Sequence, residues 1–158
     1  MFPDTTSEWK GYPSAIDGVR RPYVRLIAGL PGSINLLVLG DGVPEGGFGV
    51  TAPVLLYWLV DEFEYSVTGH GLPSLAYKGG VYVKRARRSK LIQAYSDDGI
   101  LSANFPNVQH FAFVGGDDCV EFLTQSDLTI VPFHSVEARH EWVQQVHEQM
   151  RNSLLGSG

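Results

Sequence analysis

Histidines and carboxylates are the side chains from which this chain could build a reaction centre, and their spacing is most readable in the segment His110–Leu123. A type II′ turn at Gly116-Asp117, with Gly at the first central position, predicts the cross-strand pairs Gly115 with Asp118, Val114 with Cys119, Phe113 with Val120 and Phe111 with Phe122. Phe111, Phe113, Val120 and Phe122 then share a core-facing side, and His110, Ala112, Cys119, Glu121 and Leu123 share the other. In that register His110 lies diagonal to Glu121, about 7–8 Å away between backbones. A histidine beside a carboxylate is the general base of a small hydrolase, and His70, exposed between Gly69 and Gly71, is a second candidate for that role. No nucleophile completes the set: Cys119 is several residue pairs from His110, and no G-x-S-x-G elbow is present.

Metal and phosphate chemistry have weaker support. His134, His140 and His147 cluster near the C-terminus, but on a helix His140 and His147 stand about 10 Å apart along the axis, with Gln144 between them. The i,i+4 pairing of zinc helices is absent, since Glu137 and Glu141 flank His140 at three and one. Gly40, Gly42 and Gly46 give G-x-G-x-x-x-G, the wrong spacing for a dinucleotide fingerprint, and no Gly-Lys-Ser/Thr follows. The stretch from Gly40 to Gly49 therefore reads as a flexible surface loop, and neither metal nor cofactor is expected. The pairs Asp97-Asp98 and Asp117-Asp118 fit turns, where Asp bonds its own backbone.

Charge is the stronger signal. The chain of 158 residues has a net charge of −5, which argues against a general nucleic-acid binder. Lys84, Arg85, Arg87, Arg88 and Lys90 nevertheless concentrate five of its 12 basic residues in one short stretch, leaving the remainder more acidic still. A continuous strand here would project Arg85 and Arg87 from one face and Lys84, Arg88 and Lys90 from the other. The strand is therefore expected to end, or to emerge at a sheet edge, near Lys84. Such a cationic edge discourages aggregation, and it also suits an anionic partner: an acidic protein, a phosphorylated ligand or RNA. Asp61, Glu62 and Glu64 are the acidic counterparts that would steer a basic partner.

These residues need a scaffold, and the composition supplies one. Hydrophobic residues make up 44% and charged residues 18%, so one ordered domain is expected. A single cysteine excludes an internal disulfide, and the start Met1-Phe2-Pro3-Asp4 lacks a secretory pattern, which together suggest a cytoplasmic setting. The longest apolar run, Pro53–Val60, falls short of the roughly 18 residues of a membrane span. Residues 1–21 read as an extended arm on the surface, 22–152 as the domain and 153–158 as a flexible tail. Tyr23–Gly29 and Ser33–Leu39 flank Pro31-Gly32 as paired central strands. Thr51 is placed as an N-cap, and Val54–Val60, apolar on every side, is read as a helix although its periodicity fits a buried strand equally.

Alternation at Phe63, Tyr65 and Val67 predicts a half-buried strand, and Gly79-Gly80 a hairpin pairing Tyr77 with Tyr82. Leu91–Tyr95 and Leu128–Val131 read as short strands. Ser135 caps a closing helix whose apolar stripe is Val136, Trp142, Val143, Val146 and Met150. The class expected is α+β: a mostly antiparallel sheet packed by a C-terminal helix and one further helix. The leading functional expectation is a non-catalytic binding protein that recognises a protein partner through charged surfaces, with no membrane association. Compact acidic α+β domains include immunity proteins that neutralise toxins, a likeness of class that no motif here carries. The alternatives are the His/Glu hydrolase and an adaptor subunit docking through Phe2, Trp9 and Tyr12.

Overall fold

The computed structural model describes residues 9–11, 14–16, 19–30, 32–41, 44–54, 56–61, 83–97, 107–114 and 118–156. Strict alternation of large apolar with small or polar residues makes Gln109–Val114 (β7) and Asp118–Thr124 (β8) an antiparallel pair. Phe111 faces Phe122, Phe113 faces Val120 and Val114 faces Cys119, in the register that the turn predicts. The turn residues 115–117 themselves lie outside the described residues. Phe122 stacks on both neighbours, with ring centroids 5.5 Å from Phe111 and 5.9 Å from Phe113. Burial of each such ring contributes about 1.5–3 kcal/mol.

Around this hairpin a five-stranded antiparallel sheet forms in the order β1-β6-β7-β8-β5, from Trp9–Gly11 (β1), Leu56–Asp61 (β5) and Val83–Ala86 (β6). A second, four-stranded antiparallel sheet has the order β2-β3-β4-β9, built from Arg20–Leu30 (β2), Ser33–Asp41 (β3), Phe48–Pro53 (β4) and Thr129–Pro132 (β9). Gly32, with φ 81°, provides the left-handed position that the β2–β3 turn needs. β3 is central as expected, whereas β2 is an edge strand of its sheet. The sheets face each other, and Ile34, Leu36, Val38, Val50 and Ala52 meet Val83, Phe111, Phe113, Val120 and Phe122 in one core. Ile16 and Val19, from the segment read as a surface arm, are buried in that same core.

The helix Val136–Leu154 (α2) covers the outer face of the four-stranded sheet. Ser135 caps it by accepting the N–H of Ala138 at 3.1 Å, as its sequence position predicts. Val146 is the stripe's fully buried member. The glycine-rich segment, expected as a flexible loop, is in part a platform for this helix. Gly46 donates to the Phe133 carbonyl at 3.0 Å and Phe133 donates to the Gly47 carbonyl at 2.8 Å, which prolongs the β4–β9 ladder. At Gly49 a methyl group would meet the Phe133 ring at 2.7 Å and Trp142 at 3.0 Å, so glycine is required for the helix to sit this close. β3 is consequently buried on both faces from Ile34 to Val38.

Three local expectations are corrected. Residues 56–61 form β5 and not a helix: the apolar run is short for a helix, contains Tyr57, Trp58 and Val60, and finds a full ladder on β8. Thr51 lies within β4 and bonds Asn35 across the sheet at 3.2 Å instead of capping a helix. Leu91–Tyr95 belongs to a helix, Lys90–Asp97 (α1), because Ser89 accepts the N–H of Ile92 at 3.1 Å and starts it. β9 is confirmed as a strand. The expected strand at 63–67 and the hairpin at Gly79-Gly80 lie outside the described residues.

Candidate functional site

Alternation along β7 and β8 gives the five-stranded sheet a second, outward face that carries His110, Ala112, Glu121 and Leu123. All four are buried there. Paired as His110 with Leu123 and Ala112 with Glu121, the strands bring the imidazole and the carboxylate into diagonal contact, with Nε2 3.2 Å from Glu121 Oε1. The approach is off the N–H axis, so it is a close polar contact and not a straight hydrogen bond. The other ring nitrogen, Nδ1, lies 3.0 Å from the Ser89 hydroxyl. That hydroxyl accepts the helix N–H of Ile92 and still has a proton and a second lone pair, so it can pair with Nδ1 in either tautomer.

Serine, histidine and a carboxylate in line are the components of nucleophilic catalysis. Here the three are 6%, 3% and 2% exposed, and the hydroxyl is committed as a helix cap. What this relay does mechanically is clear: it ties the start of α1 to β7 and β7 to β8. Ser89 was not singled out by sequence reasoning. Its signal is a serine followed by the helix formers Lys90, Leu91, Ile92 and Gln93.

The basic stretch is distributed by the same local geometry. β6 runs between β1 and β7 and ends at Ala86, so Lys84 is at an interior strand of the sheet and not at its edge. Arg85 shares the core-facing side with Val83 and Phe111 but sits at the sheet's end, half-buried, where its guanidinium donates to Gln109 Oε1 at 3.3 Å. Arg87 and Arg88 are exposed in the link to α1, immediately before the anchored Ser89, and Lys90 is the first residue of α1. Asp61 ends β5. Glu62, Glu64 and His70 lie outside the described residues.

Beside this link an open polar cleft of about 310 Å³ is lined by Arg87, Asn107, Val108, Gln109 and Asp127. Its walls come from three segments: the β6–α1 link, the approach to β7, and the β8–β9 connection where the chain crosses between sheets. Buried Thr124 fixes that crossing, donating its hydroxyl to the Pro53 carbonyl and accepting the Ser126 N–H at 3.1 Å. Among the described residues no three His, Cys, Asp or Glu side chains group as a metal site. Among them, too, no helix is long and apolar enough to cross a membrane.

Comparison of the chain with protein-family models, with curated proteins and with solved structures finds no match. The architecture that stands is an α+β arrangement of two antiparallel sheets with a C-terminal helix.

Proposed function

We propose that this is a non-catalytic binding protein that recognises an acidic protein partner through the cationic link between β6 and α1. The observation that supports it most directly is that Arg87 and Arg88 are exposed side by side on a link anchored two residues on and one residue on by Ser89. A guanidinium held on a fixed backbone loses less freedom on binding a carboxylate than one on a loose loop. The experiment is affinity capture from cells with the wild-type chain and with Arg87→Glu/Arg88→Glu. Acidic proteins retained by the wild type, and lost both on charge reversal and at raised salt, support the reading. Equal retention by both chains overturns it.

A second reading, a hydrolase using His110 with Glu121, is favoured by the Ser89–His110–Glu121 line. It requires the Ser89 hydroxyl to leave its cap and meet substrate. Labelling of Ser89 by a fluorophosphonate under native conditions supports it, and an unlabelled serine removes it.

A further inference from the structure

The cleft beside the cationic link has a lining of which the partner reading uses Arg87 alone. Arg87 and Asp127 bring opposite charges to one concavity, and among the described residues they form no ion pair with each other. Val108, only 7% exposed, supplies an apolar surface between polar neighbours. Gln109 has its side-chain oxygen engaged by Arg85, so its amide NH₂ is the group it offers a ligand. Asn107 holds φ 60°, the left-handed backbone that is otherwise confined to glycine among the described residues. Such backbone persists where surrounding structure fixes it, and it concentrates at ligand sites. A volume near 310 Å³ is at the small end of the range for small-molecule sites, about 300–1,000 Å³.

We infer that this cleft binds a small zwitterion of the amino acid or dipeptide class, with its carboxylate on Arg87, its ammonium on Asp127 and its amide groups on Asn107 and Gln109. Arg87 offers a carboxylate two parallel N–H donors, while Asp127 accepts from an ammonium. The two charges standing apart in one hollow select a ligand that carries both, since a simple anion would leave Asp127 repelling it and a simple cation would leave Arg87 doing so. The inference shares Arg87 with the partner reading but does not rest on it: Arg88 does not line the cleft, and Asp127, which has no part in binding an acidic surface, separates the two when it is varied.

The test is a titration of the isotope-labelled full chain with alanyl-alanine, N-acetyl-alanyl-alanine and alanyl-alanine amide, followed by amide shifts in NMR. Alanyl-alanine is expected to shift residues 107–109 and 126–128, with each blocked form about tenfold weaker. Arg87→Gln is expected to remove the penalty for the amide form alone, and Asp127→Asn the penalty for the acetyl form alone. Both residues are exposed, and an unchanged thermal midpoint checks that the variants fold. Absence of shifts at millimolar ligand, equal binding of the three ligands, or indifference to Asp127→Asn overturns the inference.

Discussion

The two sheets of this molecule each bury part of their outer side, but by opposite chemistry. Over the four-stranded sheet, Gly49 and the Phe133 and Trp142 rings give a close apolar seam for α2, with ring centroids 5.4 Å apart. Over the five-stranded sheet, the buried groups include Ser89, His110 and Glu121. An apolar seam tolerates sliding and repacking, because dispersion has no direction. A buried polar line does not, since each member that loses its partner keeps its desolvation cost. The polar face is thus the one that fixes a register, and it is the face next to the cationic link and the cleft.

The largest effect that sharpens this contrast is expected at the pair itself. Glu121→Leu alone leaves His110 buried beside an apolar group and should cost about 3 kcal/mol, while adding His110→Phe should recover part of that loss. Urea denaturation of the two singles and the double measures the coupling, and strictly additive losses would show that the contact carries none. On the apolar face, Gly49→Ala forces a methyl into Phe133 and Trp142 and should cost about 2 kcal/mol, read as a lowered urea midpoint with an unchanged slope.

The two serine caps allow a smaller comparison. Ser135→Ala should cost about 1 kcal/mol, and Ser89→Ala about 2 kcal/mol because it also strips His110 of a hydrogen-bond partner. Equal thermal shifts for the two would mean that the Ser89–His110 bond adds nothing. Smallest of all, Arg88→Gln is expected to change stability by no more than about 0.5 kcal/mol, because the residue is exposed; calorimetry checks this.

What could be read from the chain and what could not divides along the range of the interactions. The β7–β8 register and the diagonal His110–Glu121 contact were legible because a two-residue turn and a period of two fix every pair between them. Ser135 and the stripe from Val136 to Met150 announced α2 for the same local reason. β5 was misread because Val54–Val60 is apolar in every direction, and only pairing with β8, far along the chain, decides its conformation. The helix at Lys90–Asp97 is too short for periodicity to show, and its cap is bound to a residue 21 positions away. The cleft was illegible for a further reason. Arg87, Gln109 and Asp127 become neighbours only once β6, β7 and the β8–β9 crossing are in place, and no spacing in the sequence encodes that.

The reciprocal backbone bonds between Gly46-Gly47 and Phe133 have a dynamic corollary. They join the glycine platform to the stretch that enters α2, so swinging the helix outward would require unzipping the end of the β4–β9 ladder. Helix and sheet should therefore open together as one cooperative unit, with amide protons in the middle of α2 exchanging at the pace of those in β4 and not at the faster pace of an independently fraying appendage.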